Sequence, residues 1–263
     1  MLVPALGPVL TPEARRGLRA PAFRWSLAPA LLAWAMMLWL ALQARPLELC
    51  IAPRAAALDG ALAGIAAAFA TVDPARWTGE WAVMIVAMMF PLLVPSIGHV
   101  AARSFAARRE WSVALFVAGY ALVWSAAAAA ISSALLIARG SLAATDLASA
   151  AGLIGCALAA LWQLSPAKAR AINRCHGTTP LRAFGPAADC DAVRFGLVHG
   201  YRCVRACLPT MTLPLLGGHG LGTMAIVSVI LLAERAQRSP QYGASAIALL
   251  LLGLTTTLGL PPQ

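Results

Sequence analysis

Charge is what this sequence has least of. Only 11% of its 263 residues are Asp, Glu, Lys or Arg, and just 10 are acidic. A soluble domain carries about a quarter charged residues, so a soluble globular domain is excluded. Aromatic residues are sparse at 7%, and none are interleaved with a basic helix face. The formal net charge of +10 is therefore not a nucleic-acid footprint, and no nucleic-acid partner is expected. The 6 cysteines lack the spacing of a secreted disulfide framework. There is no nucleotide-binding loop, no phosphorylation motif and no fused soluble domain, which argues against a pump.

What fills the chain instead is apolar sequence. It is 60% hydrophobic with a strongly positive mean hydropathy. The expected fold class is all-α: a polytopic membrane helix bundle of about seven transmembrane helices, with the lipid bilayer as its first partner. Residues 1–24 hold Arg15, Arg16, Arg19 and Arg24 without an apolar core between them, and read as a basic cytoplasmic tail. Residues 25–263 read as one transmembrane domain. About 20 apolar residues cross a bilayer, and the expected spans are 25–43, 79–102, 111–138, 147–164, 195–216, 221–233 and 243–260. With the amino terminus inside, sixteen Lys and Arg fall on or next to cytoplasmic segments, and only Arg45, Arg54, Arg76 and Arg139 fall outside. That bias sets the orientation and suits a bacterial inner (plasma) membrane. Pro166 suits the first turn of a short helix over 167–174, inside a polar segment running from 165 to 194.

The second span is broken by Pro91 and Pro95, which free backbone carbonyls. Met84 and Met88 lie one turn apart before the break. The fifth span carries His199, Cys203, Cys207 and Met211, each four residues after the last. On a helix that spacing advances about 400° per step, so the four form one slowly drifting stripe. Packing alone explains a single Cys or Met on a membrane helix. Four potential ligands in step point to a soft metal, Cu(I), or to zinc if the thioether is set aside. Ligand-type residues inside a membrane segment mark a functional site by default. Cys175, His176 and Cys190 stand in the polar segment, so with His199 and Cys203 they are expected at or near the cytoplasmic face. His219, between Gly218 and Gly220, is expected on the opposite side.

Four stretches resemble the bacterial membrane proteins grouped as domain of unknown function 2182, predicted metal-binding integral membrane proteins. The first is W-x-x-M-x-x-A-M-M-x-P, here Trp81, Met84, Ala87, Met88, Met89 and Pro91. The second is G-Y-x-x-V-W, here Gly119, Tyr120, Val123 and Trp124. The third is Q-x-(S/T)-P-x-K leading to a Cys, here Gln163, Ser165, Pro166, Lys168 and Cys175. The fourth is G-x-x-H-G-x-x-C-x-x-C-C followed by a Met, here Gly196, His199, Gly200, Cys203, Cys207 and Met211. Met224 and Glu234 also fit, so the resemblance covers about 79–235. The chain departs from the pattern at Ala171 and Ala206, where the family has cysteines. It departs again at Arg205, at Leu208, and in the turn from Gly218 to Leu221.

The resemblance implies a metal-binding membrane protein with His199, Cys203, Cys207, Met211 and Cys175 as the metal site. Met84, Met88, His176, Cys190 and His219 would supply a secondary path. The expected role is handling copper, by transport or by delivery to a partner that donates or accepts the metal, with no catalytic residue. Two alternatives stand beside it: a metal-free membrane scaffold or assembly subunit, and a membrane thiol oxidoreductase using Cys203 and Cys207.

Overall fold

The computed structural model describes residues 21–43, 70, 73–141, 147–211, 213, 221–237 and 242–257. All secondary structure among the described residues is helical. A π-helical turn, Phe23–Leu27, leads into α1 (Ala28–Leu42). Then come α2 (Pro74–Met89), a 3-10 turn (Phe90–Leu93) and α3 (Val94–Arg103). The chain continues through α4 (Arg109–Ser141), α5 (Leu147–Leu164), α6 (Pro166–Cys175), α7 (Gly185–Met211), α8 (Leu221–Ala236) and α9 (Tyr242–Thr257). Residues 1–20, 44–69 and 214–220, the last including His219, lie outside the described residues.

Local chemistry explains several boundaries. Asp73 caps α2 by accepting from Ala75 N at 2.9 Å, with Pro74 in the first turn. Ser165 does the same for α6, accepting from Lys168 N at 3.1 Å ahead of Pro166. Both follow the preference for a short polar cap followed by proline. The break between α2 and α3 is where the sequence puts Pro91 and Pro95. Pro91 has no N–H for the Ala87 carbonyl. The Trp34 indole N–H donates to that carbonyl at 3.1 Å, and Ser26 Oγ donates to Phe90 O at 2.6 Å. In an apolar surround the freed Ala87 carbonyl needs such a partner, so the π-helical turn and α1 together splint the broken span.

The most extensive interface pairs α4 with α7, which run side by side in parallel. Their backbones touch because the contact residues are glycines. A Cβ on Gly196 would lie 2.2 Å from Phe116 O, one on Gly119 would lie 2.6 Å from Val193 O, and one on Gly200 would lie 3.0 Å from Val123 Cβ. Gly196 and Gly200 are four apart, the small-residue spacing that lets apolar helices approach closely. On the far side α6 packs on α7, and α5 packs along α9.

Length and composition suffice for crossing a membrane in three helical stretches among the described residues: Phe23–Leu42, Ala75–Arg103 and Ala106–Ala134. Gly155–Leu164 and Gly243–Leu252 are shorter apolar helices. Of the other expected spans, the sixth falls on α8, with 16 described residues. The α7 helix starts at Gly185, ten residues before the expected fifth span, so it includes Asp189, Cys190, Asp191 and Arg194. Gly185 begins it with a φ of 76°, a conformation glycine adopts freely.

Charged ends gather at one end of the bundle. Arg24 pairs with Glu110 at 2.6 Å, and Arg108 at the start of α4 pairs with Asp189 near the start of α7. His99 Nε2 at the end of the second span donates to Thr179 O at 3.0 Å. Arg182 grips Asp191 through two hydrogen bonds of 2.8 Å, and this holds the Asp191 carboxyl down at about 2.

Candidate metal centre

The i, i+4 stripe lies on α7 as its spacing requires, and all four members are buried. His199 is 1% exposed and Cys203 2%. The Cys203 and Cys207 sulfurs are 3.9 Å apart, and Tyr120 OH lies 3.3 Å from Cys203 Sγ. Both thiols are free, and their separation is far beyond the about 2.05 Å of a disulfide.

Cys175 joins them from a different helix. A small cavity of about 10 Å³ lies between α6, α7, α8 and the 3-10 turn, lined by Cys175, Cys203, Cys207, Ala206, Glu234 and Arg235 among others. That is close to the room one water-sized sphere occupies. The fold thus brings three of the five principal candidates to one wall-to-wall space. Ala206 faces the same space.

The charge around the cavity is unusual for so apolar a chain. Lys168 is fully buried, Glu234 is 3% exposed, and Lys168 Nζ lies 2.9 Å from Glu234 Oε2. Lys168 also donates to Ala206 O at 3.0 Å, in the helical turn that contains Pro209. The Lys168–Glu234 contact is an ion pair by distance, yet neither carboxylate oxygen receives a well-directed hydrogen bond. Arg235 is the second cation. Its Nη2 donates to His199 Nε2 at 3.1 Å, and its guanidinium reaches the Cys175 thiol. Ser96 Oγ lies 3.2 Å from the same His199 nitrogen. Burial pushes the Cys175 thiol up to about 11, outweighing the pull of Arg235.

The ligands do not yet converge. Among the described residues no group of three or more His, Cys, Asp and Glu side chains stands close enough to hold a metal ion. The cavity assembles the donors on its walls, and Arg235 lies among them.

Depth differs from the sequence expectation. Cys203 contacts Tyr120, which is midway along the apolar stretch Ala106–Ala134. His199 and Cys203 therefore lie alongside the middle of that stretch rather than at its basic end. The reason is that α7 begins earlier and carries them further along α4. His176 and Cys190 are exposed and do not join the cavity. Met84, Met88 and Met211 are buried in the apolar core, but they are not among the residues lining the cavity. His219 lies outside the described residues. The second and fifth expected spans do face each other, through Leu92 at the cavity, Ser96 on His199, and His99 on Phe195 with ring centroids 5.6 Å apart.

In the sequence, Lys168 and Glu234 stand out as motif residues, and Arg235 counts among the charges expected on the cytoplasmic side. The available signal was a charge at the end of an apolar helix, next to a ligand-bearing one.

Residues 78–258 match the model of a family described as PpoB2, copper chaperone. No curated protein matches the chain, and no solved structure does.

Proposed function

The chain belongs to the PpoB2 copper-chaperone family, and from that premise we propose that it binds Cu(I) in the cavity between α6, α7 and α8 and delivers it to a partner protein. The observation that carries the reading is the sulfur geometry. With metal–sulfur bonds of about 2.3 Å, two sulfurs stand about 4.0 Å apart around a trigonal ion and about 3.8 Å around a tetrahedral one. Cys203 and Cys207 are already at 3.9 Å, with Cys175 on the same cavity wall. Thiolate donors select the soft Cu(I) ion over harder cations. Copper here is cargo. Each thiol that binds it gives its proton to solvent and forms one S–Cu bond, and no electron is transferred. Met211 and His199 extend the donor set along α7, and the chain acts by binding and release rather than by catalysis.

The bundle is read as inserted in the bacterial inner membrane through its apolar helices, with the basic ends on the cytoplasmic side. The cavity thiols are free and so available to metal.

The test is anaerobic Cu(I) loading of the detergent-purified chain, followed by elemental analysis. The expected result is one copper per chain, lost in a Cys203→Ser, Cys207→Ser variant and bound more tightly in Ala206→Cys. No bound copper under reducing conditions, or a preference for zinc when both are offered, overturns the proposal.

A further inference from the structure

We propose that Arg235 is a two-position cation: it holds His199 while the thiol cavity carries no metal, and moves onto the sulfurs when Cu(I) binds, which frees the imidazole to face the ion. This inference rests on the copper reading above and adds the device that sets the affinity of the site.

The first position is in the structure. A guanidinium is always protonated and only donates, and an imidazole nitrogen has one lone pair. With Arg235 Nη2 3.1 Å from His199 Nε2, that nitrogen is an acceptor and the ring proton sits on Nδ1. Nδ1 is buried and has no hydrogen-bond partner. An Nε2 engaged by Arg235 cannot ligate a metal at the same time. His199 is therefore held back although it lies one helical turn from Cys203.

The second position follows from charge. The Lys168–Glu234 pair at 2.9 Å is neutral as a unit. Cu(I) on two thiolates, after two thiol protons leave for solvent, carries a charge of minus one. An uncompensated charge in a buried site is strongly unfavourable. Arg235 is the cation beside the sulfurs that is not already matched by an acidic neighbour in the cavity, and it already reaches Cys175. It is half-buried and carries a long, flexible side chain, so a swing from His199 to the sulfurs needs no backbone movement. Loading then neutralises the site and releases Nε2 from Arg235. The one other group on that nitrogen, Ser96 Oγ at 3.2 Å, is a hydroxyl whose proton can turn away, so the lone pair is open to the ion.

The experiment uses the full chain in detergent with 15N-labelled histidine. The His199 Nε2 resonance is followed with and without Cu(I), and affinity is measured by competition with a chromophoric Cu(I) chelator. The expected result is a Cu(I)-dependent shift of Nε2 in the native chain. In Arg235→Gln, Nε2 is shifted before metal is added, and affinity falls at least about tenfold with stoichiometry unchanged. Arg235→Lys keeps the charge and retains most of the affinity. Unchanged affinity in Arg235→Gln, or an Nε2 resonance that Cu(I) does not move, overturns the inference while the copper reading stands. A native chain that binds no Cu(I) overturns the copper reading itself. If the Gln variant fails to fold, the Nε2 response of the native chain decides alone.

Discussion

Replacing Lys168 by Met removes one charge and nearly preserves side-chain length. Lys168 is wholly buried, Glu234 is 3% exposed, and their charged atoms are 2.9 Å apart. Breaking such a pair leaves a buried carboxylate without its partner, which costs about 3–5 kcal/mol. The lost hydrogen bond to Ala206 O adds about 1 kcal/mol. Removing both charges is different. The desolvation penalty of the pair disappears with it, so Lys168→Met with Glu234→Leu is expected within about 2 kcal/mol of the native chain. The assay is a double-mutant cycle on the metal-free chain, by reversible unfolding in detergent. With Glu234→Leu alone also costing about 3–5 kcal/mol, the expected coupling between the two sites is about 5 kcal/mol or more, above the range usual for contacting residues. A Lys168→Met chain that loses under about 1 kcal/mol, or a double variant that costs the sum of the singles, refutes the view that these charges depend on each other.

The helix contact and the pH response give two further tests. Gly196→Ala puts a Cβ 2.2 Å from Phe116 O and 3.0 Å from Tyr120 N, so α4 and α7 must separate. The expected cost is about 1–3 kcal/mol, with weaker copper binding as Tyr120 draws away from Cys203; an unchanged melting temperature in detergent counts against the close packing. Cys175 is raised from 9.0 to about 11 by burial. Below pH 9 both folded and unfolded chains keep this proton, so it does not affect stability there. Between pH 9 and 11 the unfolded chain ionises first, and stability falls by up to about 3 kcal/mol. Cys175→Ala flattens that fall, and an equal slope in both chains rules out Cys175 as its source. Across neutral pH copper affinity rises with pH, because the ion displaces thiol protons.

The one-sided basic charge shows how far the sequence reading carried. It predicted that the end of the second expected span and the starts of the first, third and fifth share a side. The contacts of Arg24 with Glu110, Arg108 with Asp189, and His99 with Thr179 gather those ends together. It misjudged where α7 begins. The stretch from 185 to 194 holds two Asp and an Arg, and reads as loop by polarity alone. In the fold Arg108 and Arg182 neutralise those Asp residues, so the helix extends through them.

The sequence by itself determined what is local. Helical period put His199, Cys203, Cys207 and Met211 on one face. The prolines broke the second span where Pro91 and Pro95 stand, and composition made the chain helical and apolar. These follow from bonds and periods within a few residues. Tertiary structure alone decided which helices meet. Gly196 and Gly200 set how closely α7 approaches α4, and that approach puts Cys203 beside Tyr120, midway along an apolar stretch. Packing of α6 and α8 on α7 brings Cys175 to the same cavity, pairs Lys168 with Glu234, and lays Arg235 on His199. It leaves His176 and Cys190 in the open. Those partnerships join residues up to 83 positions apart, and shape complementarity between helix faces, which no local spacing encodes, selects them.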